Sequence, residues 1–127
     1  MNARYAFRVQ FRLEPEATDV TVERPTFETR VTVTAPEPGR EGWRFFRDVC
    51  WRGEVNDQRY ARELFERKLG VPVESVSFSA LEADEAYVEA LKAEIAANLE
   101  QFNAENVSEV LSKYLGSSIN VRPDEDA

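Results

Sequence analysis

Apolar and polar residues alternate through YAFRVQFRL, residues 5–13. Tyr5, Phe7, Val9, Phe11 and Leu13 share one side, and Ala6, Arg8, Gln10 and Arg12 share the other. A period of two predicts a strand with one face on a core and one toward water or a partner. Glu14-Pro15-Glu16 ends it, and residues 19–23, polar apart from Val20 and Val22, read as loop or a short edge segment. The alternation returns after Pro25 over 27–34, with Phe27, Thr29, Val31 and Val33 on one face, and APEPGREG at 35–42 reads as a turn. A third strand is predicted over 73–80, with Val76, Phe78 and Ala80 pointing one way and Ser75, Ser77 and Ser79 the other.

Elsewhere the period lengthens to that of a helix. Asp57 suits the N-cap of a helix over 58–69, with Tyr60, Ala61, Leu64, Phe65 and Leu69 inward and Gly70 just past its end. Asp84 suits the cap of the longest helix, 85–102, whose stripe is Val88, Leu91, Ile95, Leu99 and Phe102. Asn103 opens a last helix to Leu115, with Val107, Val110, Leu111 and Tyr114 inward and Gly116 as its stop. SSINV, residues 117–121, reads as a short closing strand or an extended tail. The run FFRDVCWRGEVND, residues 45–57, fits two patterns nearly equally. We assign helix to 41–51, because Trp43, Phe46, Val49 and Cys50 then form a stripe, and read RGEVND as a turn between two helices.

Two early strands, a helical pair and a later strand predict an α+β fold. It is a small, mostly antiparallel sheet of about three or four strands, with helices packed on one face. No repeat or linker divides the chain, so residues 1–122 are expected to form one domain, followed by a disordered acidic tail at 123–127.

Charge narrows the setting. There are 24 acidic against 16 basic residues, a net charge of −8, and only three of the bases are lysines: Lys68, Lys92 and Lys113. An acidic surface repels nucleic acid and anionic membranes, and it suits a protein living in molar salt, where repulsion is screened. The N-terminus lacks the apolar run of a signal peptide and no stretch is long enough to span a bilayer, so a cytoplasmic place is expected.

The chain has no histidine and one cysteine. That excludes in-chain Ser-His-Asp and Cys-His mechanisms and a Cys/His zinc site. Cys50, among apolar neighbours, reads as a small buried hydrophobe. Glycine-rich phosphate loops and metal-protease signatures are missing too, so no cofactor or metal is expected. The acidic runs at 82–85 and 124–126 lack calcium-loop spacing and read as solvated surface.

Two segments remain as candidates. In the 51–57 turn, Arg52 and Arg47 would grip an anion beside Trp51, with Glu54 or Asp57 as acid or base. Arg47 or Arg52 pairing with Asp48 or Glu54, and Asp57 acting only as a cap, is the plainer account. The second candidate is the row Arg8, Arg12 and Arg30 on the open sheet face, an interaction surface for a second copy or, less readily, for RNA. Pairing of Arg8 or Arg12 with Glu28 is the plainer account there.

GWRFFRDVCWRGEVND, then LGVPVESVSF, DEAYVEALKAEIAANLEQFNA and VSEVLSKYLGSSI, together resemble the LWR-salt protein family of salt-loving archaea. Its name-giving tripeptide falls on Cys50-Trp51-Arg52, with Cys in place of Leu. The resemblance implies a single domain and a saline habitat, but no activity. The expected function is a non-enzymatic interaction module, a homodimer or a binder of another protein. The alternatives are a small-molecule or anion-binding protein using the 51–57 turn, enzymatic or not, and an RNA-associated factor using the arginine face.

Overall fold

The alternation at the start of the chain builds a central strand. In a computed structural model that describes residues 1–122, the strands are β1 (Ala3–Arg12), β2 (Thr26–Thr34), the short β3 (Cys50–Trp51) and β4 (Glu54–Val55), β5 (Val73–Asp84) and β6 (Ile119–Arg122). The helices are α1 (Phe45–Val49), α2 (Gln58–Leu69), α3 (Glu85–Ala97) and α4 (Val107–Leu115), with a 3-10 turn at Leu99–Phe102. The tail expected at 123–127 lies outside the described residues.

The fold is α+β. Its main sheet has the order β2-β1-β5-β6, antiparallel except for the parallel β5–β6 pair. SSINV thus contributes a closing strand. Tyr5, Phe7 and Val9 of β1 are buried on the helix side of the sheet, with Phe46, Phe65, Leu91, Ile95, Phe102 and Leu115 among their core companions. The Phe7 and Phe65 rings meet at 5.0 Å, joining β1 to α2. Three caps form as the sequence predicts. Asp57 accepts from the Tyr60 N–H and Asp84 from the Tyr87 N–H, while Gly70 ends α2 at φ 72°.

Several expectations need correction. The helix assigned to 41–51 covers only 45–49, after which the chain turns into the β3–β4 hairpin. The helix assigned to 85–102 breaks at Asn98, and the last helix starts at Val107, capped by Asn106 rather than opened by Asn103, which has φ 49°. Tyr60 and Leu69, assigned inward, are exposed. So are Leu13, which lies just past the end of β1, and Phe27, near the start of β2.

The third strand runs on to Asp84 and carries two irregularities. Ala6 pairs with Ala80 but Phe7 with Phe78, so Ser79 is an extra residue; Glu74 is another. The extra residue at 79 reverses the side-chain parity beyond it. Ala80 therefore lies on the open face, opposite Ala6, and Leu81 takes the core side that Ala80 was expected to share with Phe78. The same reversal sends Glu82 to the open face beside Arg4.

Candidate functional site

The hairpin is where chain, charge and exposure converge. Cys50 pairs with Val55 and Trp51 with Glu54, which leaves Arg52-Gly53 as a two-residue loop with φ 54° and 80°. Positive φ at both positions is the geometry of a type I′ turn, where Asn-Gly or Gly-Gly is the usual filling. The loop caps α4. The Arg52 N–H donates to the Lys113 carbonyl at 2.8 Å and the Gly53 N–H to the Tyr114 carbonyl at 3.0 Å, satisfying carbonyls that a helix end leaves open. The approach admits no side chain at 53. A Cβ there would stand 3.0 Å from Ser118 Oγ and 3.1 Å from the Leu115 carbonyl oxygen.

Trp51 is carried outward by this docking and is 41% exposed. The Arg52 guanidinium lies 5.8 Å from its ring centre and Lys113 Nζ lies 5.7 Å away, both within cation–π range. The ring meets Tyr114 edge-on at 5.9 Å, and Tyr114 in turn packs on Phe46 and Phe102. Trp51, Arg52, Asn106, Ser112 and Lys113 line an open groove of about 850 Å³, with Glu109 also on its wall. Lys113 is oriented by the Phe102 and Asn103 carbonyls, each 3.3 Å from Nζ. Among the described residues, no carboxylate lies within ion-pair reach of Arg52.

Of the five residues singled out in this segment, the structure brings Trp51 and Arg52 together in the groove. Arg47 is engaged elsewhere, 3.3 Å from Asp48 Oδ1, donating to the Gln101 carbonyl and lying over the Phe102 ring. Asp57 caps α2, and Glu54 stands opposite Trp51 in the hairpin without lining the groove. Lys113 escaped sequence reasoning, because only the docking of the hairpin on α4 places it beside Trp51.

On the open sheet face, each predicted arginine has a carboxylate. Arg8 reaches Glu28 at 3.2 Å, Arg12 reaches Glu74 at 3.5 Å and Arg30 reaches Glu82 at 2.7 Å. Arg4 also binds Glu82, at 3.1 Å, and Arg122 binds its other oxygen. Glu82 is only 5% exposed and is held by these three arginines, so its reading as a solvated acid is corrected. The hydrogen bond from Arg30 leads in pulling its carboxyl down to about 2; burial opposes this, and Arg4 and the other guanidinium charges add to the pull. Arg4 was legible as a member of the Arg8–Arg12 row, four residues before Arg8. Glu82 was not, because the irregularity at Ser79 sets its side. A cleft of about 490 Å³ opens beside this cluster, lined by Arg4, Thr34, Glu82, Asp84 and Arg122 among others. Arg8, Arg12 and Arg30 are thus each ion-paired within the chain.

Burial pushes the Cys50 thiol up to about 12 and the Tyr87 hydroxyl up to about 12, and it raises Tyr5 as well. Among the described residues, no group of His, Cys, Asp and Glu is placed to hold a metal ion, and no helix is long and apolar enough to cross a membrane. The family model described as LWR-salt protein matches residues 1–125. No curated protein and no solved structure matches the chain.

Proposed function

We propose that this chain, which belongs to the LWR-salt protein family, is a non-enzymatic interaction module that takes an acidic side chain of a protein partner in the groove of Trp51, Arg52 and Lys113. Arg52 carries the reading. It is a bulky residue in the left-handed region, which costs an L-residue about 1–2 kcal/mol, at a turn position that glycine fills without strain. Its guanidinium has no carboxylate partner among the described residues and lies over an exposed tryptophan. Backbone strain of this kind persists where a side chain is needed for binding.

The chemistry suits a carboxylate. The arginine fork matches its two oxygens, Lys113 adds a second positive charge, and Trp51 offers a flat apolar anchor of the type that dominates interface energetics. A net charge of −8 disfavours polyphosphate ligands but tolerates a single acidic side chain. The marked proton-affinity shifts point away from acid–base work. Glu82 and Asp84 are driven down, and Tyr5, Cys50 and Tyr87 up, all away from neutral pH. Acid excess and scarce lysine support a setting in the cytoplasm of a salt-adapted cell. There screening weakens the Coulomb attraction, and the tryptophan face and hydrogen-bond geometry carry more of the affinity. A free small anion in the same groove is the second reading, favoured by the same Arg52, which has no carboxylate partner among the described residues.

The chain has two tryptophans, so an amide correlation spectrum shows two indole signals. Adding an N-acetylated, C-amidated Gly-Glu-Gly peptide, with its one carboxylate, is expected to shift the Trp51 indole and the Arg52 and Lys113 amides while leaving buried Trp43 in place. Arg52→Gly is expected to weaken that binding about tenfold or more, the loss of a charged hydrogen bond. The same change keeps stability equal or raises it by up to about 1 kcal/mol, because glycine relieves the left-handed strain. Equal shifts with inorganic phosphate would move the assignment to a free anion, and no shift with either would sink it.

A further inference from the structure

We infer that β2 is the seam of a symmetric homodimer, in which two copies pair antiparallel about Thr29 and join their sheets edge to edge. Among the described residues, β2 has a neighbour on one side only, and that neighbour is β1. The Ala35 N–H donates to the Ala3 carbonyl and the Leu13 N–H to the Pro25 carbonyl, at the two ends of the β1–β2 ladder. Odd-numbered positions of β2 therefore face β1. Thr26, Glu28, Arg30, Thr32 and Thr34 turn their N–H and C=O groups outward, and all five are exposed.

Nine residues make a long free edge, and this one carries no proline, glycine or lysine, the devices that usually blunt such a strand. Its helix side is thinly covered as well. Phe27 is exposed, and Val31 and Val33 are only partly buried.

The sequence of the edge selects a register. Outward residues must oppose outward residues for the backbone groups to pair. A two-fold centred on Glu28 sets Glu28 against Glu28, and one centred on Arg30 sets Arg30 against Arg30; both oppose like charges. A two-fold centred on Val31 sets Arg30 against Thr32 and leaves both charges unmatched. Centred on Thr29, the pairing sets Glu28 against Arg30 twice, Thr26 against Thr32 twice, and Phe27 against Val31 on the helix side. That register forms about eight backbone hydrogen bonds and two opposite-charge pairs. Existing contacts leave room for them. Arg30 reaches Glu82 through one terminal nitrogen, and each oxygen of Glu28 accepts a single hydrogen bond from its own chain.

The test uses the full chain, with Thr29→Cys and Val31→Cys made separately. The native Cys50 is fully buried, so the introduced thiol is the one accessible to oxidant. Native mass spectrometry is expected to find two chains per particle from about 0.1 M to about 1 M KCl. With diamide as oxidant, Thr29→Cys is expected to become a disulfide-linked dimer, because facing residues at the two-fold stand about 4.5 Å apart at Cα. Val31→Cys lies opposite Phe27 in this register and is expected to stay uncrosslinked. Crosslinking through position 31 instead of 29 would overturn the register, and a monomer under all these conditions would overturn the seam. The seam makes no use of the Trp51–Arg52 groove, so dimer formation and peptide binding stand or fall separately.

Discussion

Phe46→Ala is expected to lower the stability of the fold by about 4 kcal/mol, the middle of the range for deleting a fully buried ring. Phe46 has no exposed surface. It stacks on Phe102 with ring centres 5.8 Å apart and planes within 10°, and it meets Trp43 and Tyr114 at 6.5 and 6.0 Å. Its helix, α1, has five residues and no side-chain N-cap bond, too little to hold together alone, so its place depends on burying Phe46 and Val49. The loss should reach the groove as well, because Tyr114 touches both Phe46 and Trp51. Urea unfolding followed by circular dichroism measures it, with a lower midpoint and an unchanged slope as the expected outcome. Leu69→Ala, at an exposed position ending α2, is expected to lose less than about 1 kcal/mol. Similar losses for the two variants would mean that the aromatic cluster does not organise this end of the molecule.

Local chemistry was legible in the sequence wherever it decides local structure. The alternation of β1 and β2, the caps Asp57 and Asp84 and the stop at Gly70 are all short-range matters, and they form as read. What stayed illegible depends on count or distance. The stripe Trp43-Phe46-Val49-Cys50 is real as burial, yet Cys50 reaches the core from a strand. A turn filled by Arg-Gly lacks the Asn-Gly signal that would have announced a hairpin. One extra residue in β5 reverses every side chain after it, and alternation alone does not reveal an insertion. Half of the candidate site was visible for the same reason. Trp51 and Arg52 adjoin in sequence, whereas Lys113 arrives from α4 and Arg122 reaches Glu82 only through the parallel pairing of β6.

Acid is expected to erase the difference between the native chain and Glu82→Gln. At neutral pH the variant should be less stable by about 1–2 kcal/mol. It deletes the carboxylate that pairs with Arg4, Arg30 and Arg122, and leaves three guanidinium groups crowded around a neutral amide. The sign of the pH dependence follows from the direction of the shift. The folded-state value of about 2 lies below the ordinary 4.5, so the unfolded chain takes up the proton first. The stabilisation is then fully present above about pH 4.5 and is lost as pH falls through about 2. The gap between those values sets a ceiling of about 3 kcal/mol, and the half-exposed arginines, partly screened by water, bring it to about 1–2 kcal/mol. Asp84 titrates in the same direction, its carboxylate held down first by the Tyr87 N–H, but it is present in both proteins and cancels from the comparison. Urea unfolding from neutral pH down to about 2.5 should therefore show two stability curves that converge in acid. Curves that stay parallel would place the cost of the substitution in packing, and the three-arginine cluster would no longer account for the stability of the open sheet face.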